Sequence, residues 1–271
     1  MNDAFERLAN VAHITAELDK EPLGVGAIIS ESCWILSRNF PIVFLVSVVS
    51  ALLLTLVEAV VYGVPFGTGT ISSTAGYGVV LGELLFVVID VAISGVMTAL
   101  LVQMAYDAKL GRPISLRSYI TTATPVIPQI VVLSVLVGVM TLLGVFALII
   151  GALWVVAVFY VITPVIVIER GSYGSLARSA ELTKEYRWSI VGLCLVFGFF
   201  NRLAGRIGDG LFGSTYFATD QVTTFLLAGT AYSLLIGLAY ALVGIATALV
   251  YARLREIKEG VAVDEIAAVF D

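Results

Sequence analysis

The chain contains one histidine, His13, and two cysteines, Cys33 and Cys194, in 271 residues. A Ser-His-Asp triad or a histidine-based metal site would depend on His13, and nothing near it in the sequence indicates either. Both cysteines lie in or beside apolar segments, where a buried thiol is usually inert, so a disulfide framework is not expected. Phosphate-loop, HExxH and paired CxxC motifs are also absent. We therefore expect no enzyme, no metal and no cofactor.

Charged residues are scarce as well, at 13% of the chain against about 25% in an ordinary soluble protein. The chain is 59% hydrophobic and its mean hydropathy is +1.03, which excludes a soluble core. Eight of the twenty acidic residues lie in 1–21 and 264–271, so we interpret the net charge of -5 as solvated ends. No nucleic-acid partner is expected.

Six segments have the roughly 20 apolar residues that a helix needs to cross about 30 Å of hydrocarbon. Val126–Ile168 is uncharged over 43 residues and would measure roughly 64 Å as one helix, so it must be a hairpin that turns near 147–151. We predict an all-α integral membrane domain at 23–252, between an N-terminal segment, 1–22, and a tail, 253–271. The predicted spans are about 41–62, 77–106, 126–146, 150–168, 188–207 and 224–250.

The basic residues predict the orientation, because short cytoplasmic loops collect Lys and Arg. Thirteen of the fifteen lie before span one, between spans two and three, between spans four and five, or in the tail; the other two are Arg202 and Arg206. The opening twenty residues are polar and acidic and lack the features of a cleaved signal. We expect a bacterial inner-membrane, multi-pass protein with both termini in the cytoplasm.

A charged stretch interrupts the apolar chain between spans four and five, with seven charges from Glu169 to Arg187. A helix over Tyr173–Tyr186 has an apolar half and a charged half. We predict that it lies along the membrane surface, with Arg178 and Lys184 facing anionic lipid and Trp188 as an interfacial anchor. The alternative is a cytosolic helix that packs on the bundle.

Similar lead-ins, Gly26–Phe40 and Ile114–Val126, precede spans one and three. They predict a unit used three times, a surface helix on the cytoplasmic side followed by a two-helix hairpin. The best register aligns Ser32 with Ser118 and Ser179. Three hairpins of the same sense differ from the inverted repeats of many transporters, which counts against a secondary transporter.

The stretches ITPVIVIERGSYGSLARSAELTKEYRWSIVGL, YDAKLGRPISLRSYI and ALVYARLREIKEG together resemble the glycerophosphoryl diester phosphodiesterase membrane-domain family. The family pattern is a proline in span four, an acid at its cytoplasmic end, and an arginine-serine helix leading to a lysine and an aromatic residue. The matching residues are Pro164, Glu169, Arg178, Ser179, Lys184 and Trp188. The resemblance covers most of residues 20–258. It implies a six-span membrane module, and no catalytic residue is carried over, because the sequence has no counterpart of the phosphodiesterase domain.

Acidic residues inside the spans are the strongest functional signal, because a charge near the bilayer centre costs about 2.5–3.5 kcal/mol. We hypothesise that Glu58, Glu83, Arg202 and Arg206 form a polar cluster that opens to the periplasm, with Asp90 beneath it as a proton, ion or headgroup contact. The alternative is that these groups clamp helices together, or that Asp90 is protonated and hydrogen-bonded.

The sequence favours a non-enzymatic module that binds or organises lipids or partner membrane proteins, including a second copy of itself. The alternative is a small permease or ion-coupled carrier that uses Asp90. A water-accessible path past Asp90 would favour the carrier, whereas a dry core with lipid-facing grooves beside the surface helices would favour the module. Small residues at four-residue steps in span six, from Gly229 to Ala241, indicate close helix packing or a dimer face.

Overall fold

The computed structural model describes residues 22–62, 77–146, 148–170, 174–213 and 222–260, and the regular elements within these ranges are helices. Six helical segments are long and apolar enough to cross a membrane, which confirms the predicted all-α, multi-pass architecture. They are Phe40–Val60, Leu85–Lys109, Leu116–Val145, Ile150–Ile168, Arg187–Gly213 and Thr223–Glu259.

Ten α-helices lie within the described ranges: α1 Val25–Arg38, α2 Phe40–Tyr62, α3 Tyr77–Lys109, α4 Leu116–Ala123, α5 Ile127–Phe146, α6 Leu148–Val158, α7 Ile162–Ile168, α8 Ser175–Thr183, α9 Arg187–Gly208 and α10 Val222–Glu259. A 3-10 turn, Thr124–Val126, joins α4 to α5, and a π turn, Asp209–Gly213, follows α9. The 38 residues of α10 extend for about 57 Å, well beyond the hydrocarbon thickness. The predicted start of the tail at residue 253 therefore falls inside α10.

The spans pair as three hairpins, in which α2 packs against α3, α5 against α6, and α9 against α10. The central helix is α10, which also contacts α1, α2 and α3 and supplies much of the core. Two glycines allow its close approach to the neighbouring helices. A Cβ at Gly237 would lie 3.6 Å from Ser47 Cβ, and one at Gly244 would lie 3.2 Å from Leu101 Cδ1. These small residues pack within the chain.

The fourth span is broken between α6 and α7. Pro164 lies in the first turn of α7, where its missing N–H is tolerated, and its ring would clash with the carbonyl of Tyr160 in a continuous helix. The N–H of Ile162 donates to the carbonyl of Phe159 at 3.1 Å instead of to that of Val158. The carbonyl of Val158 is thereby left without its usual helical partner.

Three short helices, α1, α4 and α8, precede the hairpins as the repeat predicted. We call the end of the bundle where they lie, with Lys109, Arg178 and Arg255, the basic end. Each short helix buries one face: Ile28, Ser32 and Ile35 in α1, Tyr119 and Ala123 in α4, and Ser175, Ser179, Leu182 and Thr183 in α8. The aligned serines are not equivalent, since Ser32 and Ser179 are buried and Ser118 is exposed.

Candidate functional site

A cavity of about 470 Å³ lies among α2, α3, α5, α7 and α10, and we call it the acid cavity. Its wall contains the Asp90 carboxylate and the hydroxyl groups of Ser94, Ser134 and Thr163. Ser94 lies one turn further along α3, and its hydroxyl is close enough to interact with the Asp90 carboxylate. Among the described residues, Asp90 has no cationic partner within 4 Å. The acid cavity therefore presents a carboxylate and hydroxyl groups inside the bundle.

A second cavity of about 590 Å³ lies among α6, α9 and α10, and we call it the arginine cavity. It shares Tyr232, Ile236 and Tyr240 with the acid cavity. These residues recur at four-residue steps and form one stripe along α10, which separates the two cavities. Tyr240 is 56% exposed, so the space on both sides of the stripe opens to the surface of the bundle.

Arg202 and Arg206 lie one helical turn apart on α9 and both line the arginine cavity. Neither guanidinium makes a hydrogen bond or ion pair with another described residue. The neighbouring Asn201 donates through Nδ2 to the Phe197 carbonyl at 3.0 Å, while its buried Oδ1 has no partner in the described part of the chain. Two arginine forks one turn apart suit a multivalent oxyanion such as a phosphate.

The structure brings part of the predicted polar cluster together around Tyr232. The hydroxyl of Tyr232 donates to Asp209 Oδ1 at 3.2 Å, and Glu58 and Arg202 lie close enough for their charges to act on it. One turn below Glu58, the hydroxyl groups of Thr55 and Ser233 are 3.5 Å apart. Glu83 lies on α3, but its side chain is outside the described part of the structure.

Asp209 was absent from the sequence prediction, because it follows the predicted end of span five at residue 207. The signal was nevertheless present, since Arg202, Arg206 and Asp209 are spaced i, i+4 and i+7, which places them on one helical face. The π turn that begins at Asp209 keeps its side chain beside the arginine cavity.

A groove of about 430 Å³ lies among α2, α3, α4 and α5, and we call it the apolar groove. Ser50 is the one polar residue in its wall among the described residues, and side chains such as Leu45, Val96 and Ile127 form the rest. The apolar groove shares residues of α2 and α3 with the acid cavity, namely Ser50, Ile93 and Met97. The three spaces thus adjoin one another in order of polarity. The arginine cavity comes first, the acid cavity with its hydroxyl groups and carboxylate is next, and the apolar groove is last.

At the basic end, Arg178 binds carboxylates of the protein. Its guanidinium donates to Glu169 at 3.3 Å and also to Glu259, while the Tyr251 hydroxyl donates to Glu169 at 2.8 Å and Arg255 Nε donates to Glu259 at 2.7 Å. Partial burial alone would lower the pKa of Arg178, but the hydrogen bonds to Glu259 and Glu169 raise it above its ordinary value. This network ties α8 to α7 and α10.

The helix α8 packs on the bundle. The carbonyl of Val158, which has no helical partner, accepts hydrogen bonds from the hydroxyl groups of Ser179 and Thr183 at 3.1 and 3.0 Å. Lys184 is exposed, and Trp188 is 68% exposed, with its ring edge-on to that of Trp154 at 5.5 Å between centroids. Contact of Arg178, Lys184 and Trp188 with membrane lipid stays a prediction.

The fold and these cavities define an integral membrane protein whose six spans enclose a polar interior beside an apolar groove. Comparison of the chain with protein-family models, curated proteins and solved structures gives no significant match. The resemblance to the phosphodiesterase membrane-domain family therefore stays an expectation. In the part of the chain that the structure describes, no group of three or more His, Cys, Asp or Glu side chains has the arrangement of a metal site.

Proposed function

We propose that the chain is a non-enzymatic membrane module that binds a lipid with a phosphate-bearing headgroup. The observation that carries this proposal is the pair Arg202 and Arg206 in the arginine cavity, both without a carboxylate partner among the described residues. A phosphate between the two forks would accept several charge-assisted hydrogen bonds, each worth about 1.5–3 kcal/mol.

The change in polarity along the adjoining spaces also supports a lipid. A lipid has a charged headgroup joined to hydrocarbon chains, and the arginine and acid cavities adjoin the apolar groove in the same order. The groove lies beside the short helix α4, which supports the lipid module, whereas the open acid cavity differs from the dry core that the same module was expected to have. The other form of the module is a scaffold that binds partner membrane proteins or a second copy of the chain.

The orientation completes the proposal. We propose a bacterial inner-membrane location, with the basic end in the cytoplasm, as the distribution of Lys and Arg indicates. The arginine cavity would then open toward the periplasmic half of the membrane. In a Cys33→Ser/Cys194→Ser background, a cysteine introduced at Gly260, just after α10, should react in intact cells only with a membrane-permeant maleimide, and labelling by an impermeant maleimide would reverse the orientation.

The second candidate is an ion-coupled carrier, and the observation that favours it is the position of Asp90 in the wall of an open cavity. A carrier requires Asp90 to bind and release a proton or cation while the cavity opens to each side in turn. Asp90→Asn should then abolish uptake into proteoliposomes without unfolding the protein.

Native mass spectrometry of the protein released from nanodiscs of host lipids tests the leading proposal. The wild-type chain should retain phospholipid, and Arg202→Gln/Arg206→Gln should lose most of it. Arg112→Gln/Arg117→Gln is the matched control, because it also removes two positive charges, but in the loop after α3 and on α4, outside the arginine cavity. Equal retention by the two double variants would reject the arginine site, and a bare oligomer or a protein partner would favour a scaffold.

A further inference from the structure

We propose that the headgroup carries a protonated amine as well as a phosphate, with the phosphate at Arg202 and Arg206 and the amine at Asp90. This inference rests on the proposed function and names the ligand class, a phosphate ester of a short amino alcohol. Opposite charges on the two sides of the Tyr232 stripe are the basis for it.

The Asp90 carboxylate is the first part of the argument. A partly buried carboxylate without a cation is costly inside a membrane, and no described Lys or Arg lies within 4 Å of it. A purely anionic headgroup would bring a second negative charge into the same space. A protonated amine supplies the missing positive charge.

The hydroxyl groups around Asp90 fit the other donors of an ammonium group. An ammonium has three N–H donors, and the acid cavity offers the carboxylate together with the oxygens of Ser94 and Ser134. Gly95 allows α3 and α5 to approach closely, since a Cβ there would lie 3.1 Å from Ser134 Oγ. This approach places the Ser134 hydroxyl beside Gly95, the residue that follows Ser94, and in the wall of the same cavity as Asp90.

The two cavities meet at the residues of the α10 stripe, and a single ligand would have to pass it. Tyr232 lines both cavities and donates its hydroxyl to Asp209, beside the arginine cavity. A short linker that passes this side chain connects the phosphate and ammonium positions.

The test uses the full chain in nanodiscs that contain equal amounts of phosphatidylethanolamine and phosphatidylglycerol, with retained lipid identified by native mass spectrometry. The wild type should retain the ethanolamine lipid roughly tenfold over the glycerol lipid, as one additional charge-assisted hydrogen bond predicts. Asp90→Asn should remove the preference and keep the total amount of retained lipid. Asp107→Asn, on the same helix and outside the three cavities, should keep the preference.

The outcomes separate the inference from the proposed function. Equal retention of the two lipids by the wild type, or an unchanged preference in Asp90→Asn, would overturn the amine contact and leave the phospholipid site intact. Loss of all lipid from the wild type would overturn the proposed function. Addition of free phosphoethanolamine distinguishes the source: retention of this compound without lipid would support the aminophosphate site but assign it to a soluble ligand.

Discussion

The hydroxyl of Ser179 in α8 donates to the carbonyl of Val158, which the break between α6 and α7 leaves without its helical partner. Thr183, one turn later, donates to the same oxygen. Pro164 interrupts the fourth span, and the two hydroxyl groups satisfy the acceptor that this interruption exposes. Pro164, Ser179 and Thr183 thus act together: the first interrupts a spanning helix, and the other two bind α8 to the carbonyl at the interruption.

Removal of both hydroxyl groups tests this arrangement. Ser179→Ala/Thr183→Val should lower the free energy of unfolding by about 1–3 kcal/mol, because a partly buried carbonyl loses its donors. Thermal unfolding in detergent, followed by circular dichroism, measures the effect. Thr121→Val is the control, since its hydroxyl donates to the Ser118 carbonyl at an exposed site. An equal melting temperature in the double variant and the control would contradict the role of the Val158 carbonyl.

The carboxylate network at the basic end predicts a strict requirement for arginine at position 178. Arg178→Gln leaves Glu169 and Glu259 without this cation and should destabilise the fold by about 1–3 kcal/mol. Arg178→Lys should restore only part of the loss, because lysine lacks the planar fork that reaches two carboxylates. Arg117→Gln, an exposed arginine on α4, should have little effect, and an equal loss there would show a nonspecific charge effect.

The raised pKa of Arg178 also predicts how this contribution depends on pH. A group whose pKa is higher in the folded state contributes stability that is fully present below its unfolded pKa and is lost only as pH rises through the folded value. The stability difference between wild type and Arg178→Gln should therefore vary little with arginine ionisation between about pH 7 and 9. A difference that disappears over this range would show that another group controls the network.

The close approach of α10 to α3 gives a packing prediction. Gly244→Leu should destabilise the protein by several kcal/mol or prevent folding, because its Cβ would already lie 3.2 Å from Leu101 and the rest of the side chain has no space. Gly138→Leu on α5 is the control, since nothing lies within 4 Å of a Cβ there. Comparable yields and melting temperatures for the two variants would contradict the packing of α10 as described.

The six spans could be predicted because each apolar stretch has the length of a bilayer crossing, and the uncharged run from Val126 to Ile168 is long enough only for a hairpin. The short helices were visible for the same reason, as amphipathic segments between apolar runs. The partners of Arg178 were not visible, because Glu259 lies 81 residues away in the chain and their contact depends on the extension of α10 beyond the predicted span.

In the candidate site, too, single residues could be recognised from the sequence, but their arrangement in space could not. Asp90 was recognisable as a charge inside an apolar segment, where it is costly, and Arg202 and Arg206 as the two basic residues at the other end of the spans. Their arrangement on two sides of Tyr232 was not, because it depends on how α3 and α9 pack around α10. Ser94 and Asn201 had no signal, since a hydroxyl or amide in a spanning helix commonly bonds its own backbone.

The most direct measurement is the binding of a short-chain phospholipid and of the diacylglycerol with the same chains to the purified protein. Wild type should bind the phospholipid at least tenfold more tightly, because only the phospholipid supplies an oxyanion to the arginine forks. In Arg202→Gln/Arg206→Gln the two affinities should become equal, while binding of the diacylglycerol is unchanged. Equal affinities in the wild type, or an undiminished preference in the double variant, would contradict a phosphate site in the arginine cavity.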